Sequence, residues 1–290
     1  KELLKTKYAG RPVDVIICVD DQALRFLERS GSELFPDVPA VFCSVTSFDT
    51  RLHEQRPLTG QKESLCIRET LEAALTLQPQ TEQVYVILDS SVTGSGLKRK
   101  AQSIFSQFES QLQFVYLEDL TLWQLQKRAS SLPENSIVFL FIFKKEPGDK
   151  VLSHEKNLEL LRPHCPVPIY SVWDLYLGHG IVGGCLTCGK KEGKLVAEKA
   201  IRILNGERAE NIPLDKSPTQ LLFDFKQLSA FSLPLDRLPE NAAVINRPFS
   251  FMREYSTLVI VASLITAVLV ASVVILAVST GIRKRSLRAL

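Results

Sequence analysis

The sequence lacks the residue arrangements on which most enzymes depend. Its 290 residues include only four histidines, at positions 53, 154, 164 and 179, and these are scattered along the chain. None of the motifs GxSxG, HExxH or GxGxxG stands between a predicted strand and a predicted helix, and no GxxxxGKS or GxxxxGKT loop is present. The chain is therefore predicted to be a binding protein without a cofactor rather than an enzyme.

A strong net charge is also missing. The formal charge is +3, and four positive charges belong to Arg283, Lys284, Arg285 and Arg288, which leaves 3 − 4 = −1 for the rest of the chain. A nearly neutral chain has no electrostatic footprint for nucleic acid, so nucleic acid is not an expected partner.

The six cysteines do not form a metal-binding pattern. Cys185 and Cys188 make one CxxC, with no second pair and no histidine nearby, so no metal is predicted. Buried structural thiols, a disulfide and a thiol-disulfide enzyme that uses this pair all remain open. The last of these requires a lowered thiol pKa.

The longest apolar run is residues 257–281. No charged residue lies between Glu254 and Arg283, and about 20 apolar residues in a helix cross the hydrocarbon layer of a membrane. A buried helix of a soluble domain is the alternative, but such helices are shorter and usually keep a polar face. The basic residues after the run predict a cytoplasmic C-terminus, with residues 1–250 outside the cytoplasm.

Apolar strand-like runs alternate with amphipathic helix-like segments along residues 13–204, a pattern typical of an α/β fold with parallel sheets. The strands are too many for one small sheet, so two lobes are predicted. The chain is expected to cross between them near Thr59–Cys66 and to return near Lys190–Leu204.

Residues at the carboxyl ends of the predicted strands are the candidate ligand-binding residues, because helix N-termini and free backbone N–H groups meet there. The candidates are Asp20, Asp21, Ser44, Thr46, Ser90, Thr93, Gly94, Phe143, Trp173 and Asp174. Structural alternatives exist: Asp20 or Asp21 as a helix cap, and Trp173 as a side chain packed inside a hinge. Together these groups suit a sugar, an amino acid or a nucleoside-like molecule.

Several stretches resemble one family. They are FPDVPAVFC (35–43), the TG pair (59–60), WDLYLGHGIVGG (173–184), LLFDFKQLSAF (221–231) and NRPFSFMREY (246–255). Together they are similar to the extracytoplasmic sensor region of bacterial membrane-bound histidine kinases that use the substrate-binding-protein fold of ABC transporters. The resemblance covers nearly all of residues 1–256.

The resemblance implies a type I periplasmic-binding fold, with two Rossmann-like lobes and a ligand in the cleft between them. Residues 1–64 and 190–250 would form the first lobe, incomplete at its N-terminus, and residues 65–189 the second. The span at 257–281 would lead into residues 282–290, the cytoplasmic start of a signalling region that this sequence does not contain.

The expected function is that of a small-molecule sensor in the inner membrane, as part of a two-component histidine kinase. Partners implied by the resemblance are the membrane, the ligand and a second copy in a homodimer. The alternative is a membrane-tethered substrate-binding component of an ABC importer. The residues encoded after Leu290 discriminate between the two.

Overall fold

The computed structural model describes residues 1–46, 56–143, 153–249 and 255–286. The chain divides into two compact units, Lys1–Asn246 and Arg247–Leu290.

Alternating strands and helices build the first unit, and one long helix dominates the second. The strands are β1 (Ile16–Val19), β2 (Ala40–Val45), β3 (Leu58–Lys62), β4 (Gln83–Ile87), β5 (Gln113–Leu117), β6 (Ser136–Leu140), β7 (Ile169–Ser171), β8 (Gly183–Thr187), β9 (Asp215–Lys216), β10 (Thr219–Asp224) and β11 (Ala243–Ile245). The helices are α1 (Glu2–Tyr8), α2 (Asp21–Leu34), α3 (Ile67–Leu77), α4 (Val92–Phe105), α5 (Leu122–Ala129), α6 (His154–Leu161), α7 (Gly189–Leu204), α8 (Phe225–Ala230) and α9 (Ser256–Ser286).

The first lobe is a four-stranded parallel sheet in the order β1-β2-β3-β9, with helices on both faces. Successive β2 side chains point to opposite faces of the sheet. Phe42 accordingly packs with Leu24 and Leu27 of α2, whereas Val41 packs with Val196 of α7. Helix α7 is thus part of the first lobe although it follows the second in sequence.

Strand β1 is buried on one face only. Cys18 is buried, but Ile17 is 48% and Val19 is 56% exposed. The reason is that β1 lies at the edge of the sheet, and α7 covers Val41 and Cys43 of β2 without extending over the β1 residues paired with them.

The second lobe is a seven-stranded sheet in the order β11-β10-β8-β7-β6-β4-β5. Strands β4 to β8 run parallel to one another, β10 runs antiparallel to β8, and β11 pairs in parallel with β10. One face packs against α3 and α4, and the other face packs against α5 and α6. This burial on both faces explains the continuous apolar run of β6, whose five residues are all buried.

Strand pairing moves the expected lobe boundary. The sequence placed all of residues 190–250 in the first lobe. Helix α7 and strand β9 do belong to the four-stranded sheet and its helices, but β10 and β11 are strands of the seven-stranded sheet. The assignment of residues 219–245 to the first lobe is therefore wrong, because Leu221 pairs with Cys185 in β8.

Local contacts set the extent of two helices. Helix α2 runs through Gly31, a buried glycine at which a Cβ would lie 2.8 Å from the Leu27 Cδ1 atom. Helix α4 begins at Val92, since the Ser91 hydroxyl accepts a hydrogen bond from the Gly94 N–H at 3.0 Å and caps the helix.

The second unit contains α9, whose residues Ser256–Ile282 include an 18-residue window with a mean hydropathy of 3.0. Those 27 residues extend about 40 Å at the usual helical rise, so length and composition suit a membrane span. Its hydroxyls bond back to the helix itself: Thr266 donates to the Ala262 carbonyl and Ser272 to the Val268 carbonyl. The helix therefore presents few unsatisfied polar groups.

Candidate functional site

Three chain crossings connect the two lobes, at residues 63–66, at Cys188 and at residues 217–218. Hydrogen bonds hold them side by side: the Ser217 N–H donates to the Lys62 carbonyl at 2.8 Å, and the Cys188 N–H donates to the Pro218 carbonyl at 2.9 Å. The first crossing was expected. The return occurs at Cys188 rather than within Lys190–Leu204, and the third crossing was not expected, because β10 was not assigned to the second lobe.

A cavity of about 230 Å³ lies between the lobes next to these crossings. Residues from the ends of strands in both sheets line it, together with the starts of α4, α6 and α7. The lining residues are Asp20, Asp21, Ser44, Thr46, Glu63, Thr93, Ile142, His154, Trp173, Asp174, Leu175, Thr187, Gly189 and Glu192. The structure thus brings together seven predicted residues: Asp20, Asp21, Ser44, Thr46, Thr93, Trp173 and Asp174.

The other three predicted residues are not among the lining residues, and each has a structural role or is exposed. Ser90 is exposed. Gly94 packs so closely on Asp89 that a Cβ there would lie 2.1 Å from the Asp89 carbonyl oxygen. Phe143 is buried in the core of the second lobe. The polar loop that contains Ser90 serves mainly to start α4.

Two lining residues have backbones that are strained for a side chain other than glycine. Asp20 has φ 80° and Ser44 has φ 54°, both in the left-handed region. Each follows or ends a strand of the first lobe, and both line the cavity. Strain of this kind persists where the surrounding contacts fix it, and it concentrates at ligand-binding sites.

Glu192 fixes the Ser44 backbone. This glutamate lies in the first turn of α7 and is 4% exposed. Its Oε1 accepts from the Ser44 N–H at 3.1 Å, its Oε2 accepts from the Ser44 hydroxyl at 3.0 Å, and Ser217 donates to Oε1 at 2.5 Å. One carboxylate therefore joins a first-lobe strand end to the third crossing.

Glu63 is the second carboxylate that the sequence did not single out. It directly follows β3, and its Oε1 accepts a hydrogen bond from the Trp173 indole N–H at 2.7 Å. Burial raises the Glu63 pKa to about 7, helped by the charges of Glu192 and Asp21 and opposed by the Trp173 hydrogen bond and by Lys100. The strand-end rule that selected Asp20 and Ser44 would also have found Glu63.

Asp174 faces the cavity from the second lobe. Its Oδ2 accepts a hydrogen bond from the Gly189 N–H at 3.1 Å, at the start of α7. Burial raises the Asp174 pKa above its ordinary value, and the charge of Glu192 adds to the effect. The cavity therefore contains a second carboxyl group whose charge is disfavoured.

The contacts across the cleft join groups that are far apart in sequence. Lys100 Nζ in α4 donates to the Thr46 carbonyl at 3.0 Å, and Trp173 bonds to Glu63. Trp173 also packs against apolar residues on both faces of the second-lobe sheet. Trp173 therefore occupies a position that fits both predictions made for it: a side chain packed at the hinge and a side chain that lines the cavity.

The CxxC pair lacks the features of a redox centre. Burial raises the pKa of the Cys188 thiol, and a hydrogen bond to Cys66, together with burial, raises that of Cys185. A raised pKa opposes thiolate chemistry. Across the described part of the chain, no group of three His, Cys, Asp or Glu side chains is placed to hold a metal ion.

No protein-family model matches the chain, and no curated protein matches it in sequence. Solved structures do match. A conserved domain protein from Vibrio cholerae has a TM-score of 0.61 at 13% identity, covering 84% of this chain and 81% of the other. The chain has the two-lobed fold of periplasmic binding proteins.

Two further structures are similar over the same extent. One is the ligand-free, open structure of a substrate-binding protein with adhesive properties from Clostridium difficile. Its TM-score is 0.60 at 15% identity, and the match covers 85% of this chain and 84% of the other chain. The ABC domain from Streptococcus pneumoniae in complex with L-tryptophan has a TM-score of 0.60 at 12% identity, with coverages of 84% and 82%.

Proposed function

We propose that residues 1–246 form a ligand-binding receptor domain whose cleft closes on a small molecule, and that α9 anchors this domain in a membrane. The observation that carries the proposal is the cavity next to the crossings, to which the strand ends of both lobes contribute. A molecule that contacts both lobes binds the closed form more tightly than the open form, and this difference in affinity drives closure.

Thermal shift and titration calorimetry on the purified chain test this proposal, with a panel of amino acids, sugars and nucleosides as ligands. The L-tryptophan complex of the similar pneumococcal domain supports including amino acids. Thr93 lines the cavity from α4, so Thr93→Trp fills the cleft, whereas Ser95 is exposed on the same helix and Ser95→Trp is the matched control. We expect a binder that is lost in Thr93→Trp and kept in Ser95→Trp; no binder in the whole panel contradicts the proposal.

The proposed location is the inner membrane, with residues 1–250 outside the cytoplasm. The apolar composition of α9 and the basic residues from Arg283 onward support this orientation. Protease added to intact spheroplasts is expected to digest the receptor domain, and protease added to inside-out vesicles is expected to spare it. The reverse pattern would refute the orientation.

We further propose that closure is reported across the membrane, as in the sensor region of a histidine kinase. Strand β11 belongs to the second-lobe sheet, and Asn246 directly follows it. The Asn246 amide donates to the buried Asp224 carboxylate at 3.1 Å, which ties the end of the receptor domain to that lobe. Ten positions later the chain enters α9, so the route from cleft to helix is short in sequence.

The alternative function is a membrane-tethered substrate-binding component of an ABC importer, favoured by the substrate-binding protein among the similar structures. The described part of α9 contains no cysteine, so Ser263→Cys reports contacts between helices of two copies. A change in cross-linking of Ser263→Cys when a binder from the panel is added favours signalling. Unchanged cross-linking favours the importer component.

A further inference from the structure

The cavity between the lobes is strongly acidic. Five of its lining residues carry carboxyl groups: Asp20, Asp21, Glu63, Asp174 and Glu192. Among the described residues that line it there is no lysine or arginine. The cavity therefore holds an excess of negative charge in a partly enclosed space, where Coulomb interactions are stronger than in bulk water.

Among the described residues, no charged donor bonds to three of these groups, Glu63, Asp174 and Glu192. The hydrogen-bond donors to Glu192 are Ser44 and Ser217, the donor to Asp174 is the Gly189 backbone, and the donor to Glu63 is the Trp173 indole. All of these donors are uncharged. The Lys100 ammonium bonds to the Thr46 carbonyl and lowers the Glu63 pKa only in part.

Basic side chains line an adjoining cavity instead. This second cavity, of about 380 Å³, shares Asp21, Thr46 and Thr93 with the first. Arg25, Arg29 and Arg99 line it, and no residue of the crossings does, so we call it the mouth of the cleft. The charge in the cleft thus changes sign with distance from the crossings, from acidic beside them to basic at the mouth.

We infer that the ligand is a small organic molecule with a protonated or quaternary nitrogen, and that this nitrogen sits among Glu63, Asp174 and Glu192. The inference rests on the proposed function. A buried carboxylate is costly unless an opposite charge compensates it. A neutral sugar would close the cleft over uncompensated carboxylates, and an anion would be repelled, whereas a cation supplies the missing charge. A carboxylate on the same ligand would face the arginines at the mouth.

The perturbed carboxyl groups support this inference. The Glu63 pKa near 7 arises from burial and from the charges of Glu192 and Asp21, so the cavity disfavours full ionisation of its carboxyl groups. A bound cation compensates this negative charge and so favours the ionised carboxylates. The indole of Trp173 adds an aromatic surface at the same place, and aromatic faces attract organic cations.

Matched pairs of probes test the inference on the purified chain in detergent. The cationic probes are choline and putrescine, and their neutral counterparts of similar shape are 3,3-dimethylbutan-1-ol and butane-1,4-diol. Agmatine, L-arginine, myo-inositol, D-allose and the anion succinate complete the panel. We expect at least one cationic probe to bind, its neutral counterpart or a sugar to bind at least tenfold more weakly, and added salt to weaken cation binding.

Charge-neutralising variants locate the nitrogen. Glu192→Gln and Asp174→Asn each remove one negative charge and keep an acceptor oxygen, and each is expected to weaken binding of the cationic probe about tenfold to a hundredfold. The exposed Glu134, on the surface of the second lobe, provides the control Glu134→Gln, which should leave the affinity unchanged. Two variants in different lobes keep the test valid if one of them fails to fold.

The outcomes separate this inference from the function on which it rests. Binding of a neutral or anionic probe without binding of any cation overturns the inference and leaves the receptor function standing. Equal affinity for choline and its neutral counterpart also overturns the inference. The absence of any binder in this panel and in the panel of amino acids, sugars and nucleosides overturns both the inference and the receptor function.

Discussion

The Trp173 indole N–H donates a hydrogen bond to the Glu63 carboxylate at 2.7 Å, although the two residues are 110 positions apart in sequence. Glu63 opens the first crossing between the lobes, and Trp173 follows β7 of the second lobe. The bond therefore links the connection between the lobes directly to the wall of the cavity. It also places the flattest apolar surface of the site beside a carboxyl group with a perturbed pKa.

Replacing Trp173 by Phe removes this donor while keeping an aromatic ring. The partly buried Glu63 carboxyl then loses its partner, so we expect the free energy of unfolding to fall by about 1–3 kcal/mol. Urea unfolding measures the change. The chain has one other tryptophan, Trp123, which is 67% exposed, so Trp123→Phe is the control and should change stability little. Equal losses in both variants would contradict a role for the hydrogen bond.

The raised pKa of Glu63 predicts a pH-dependent stability. The folded state holds the Glu63 proton up to about pH 7, whereas the ordinary glutamate value is 4.5. The folded chain binds more protons than the unfolded chain between these values, so this residue's contribution to stability is full below about pH 4.5 and is lost as the pH rises through 7. Glu63→Gln keeps an acceptor for Trp173 but removes the titration.

We therefore compare the melting temperatures of Glu63→Gln and the wild type. The difference, variant minus wild type, is expected to increase as the pH rises from 5 to 8. Scanning calorimetry at several pH values measures this difference. A difference that stays constant over that range would show that Glu63 has an ordinary pKa.

Gly184 allows β8 to approach β7 and α3 closely. Its φ is 154°, and a Cβ there would lie 2.3 Å from the Ser171 carbonyl oxygen. Gly184→Ala must displace backbone, so we expect a loss of about 3 kcal/mol or more in stability. Gly193 in α7 has nothing within 4 Å of an added Cβ, and Gly193→Ala should be neutral or stabilising by about 1 kcal/mol. Similar effects at both sites would contradict the close packing around β8.

Cys66 should be the most reactive thiol in the receptor domain at neutral pH. A hydrogen bond from Cys185 lowers the Cys66 pKa to about 7, against the opposing effect of burial, and Cys66 is partly exposed at the start of α3. The pKa values of Cys18, Cys43, Cys165 and Cys188 are all raised by burial. Iodoacetamide labelling at pH 7 followed by mass spectrometry should modify Cys66 first.

The variant Cys185→Ala removes that hydrogen bond and should raise the Cys66 pKa, so the labelling rate at pH 7 should fall. Cys188→Ala is the matched control, because Cys188 donates to the Leu186 carbonyl rather than to Cys66. Faster labelling of Cys188 than of Cys66 would revive the CxxC pair as a redox candidate.

The sequence by itself determined the α/β class, the two lobes and the apolar C-terminal helix. These follow from local signals: apolar runs bounded by turns predict strands such as β2, and the long uncharged run predicts α9. The strand-end rule also found seven residues that line the cavity, since the carboxyl ends of parallel strands meet at one edge of a sheet whatever the order of the strands.

Only the tertiary structure decided which strands share a sheet and which polar groups share a cavity. Strand β10 joins β8 in an antiparallel pair, a contact between distant segments that no local pattern encodes. Glu192 meets Ser44 across 148 positions, so its role depends on how α7 returns to the first lobe. The acidity of the cleft belongs to this second group of facts, because it arises when carboxylates from separate segments are folded into one space.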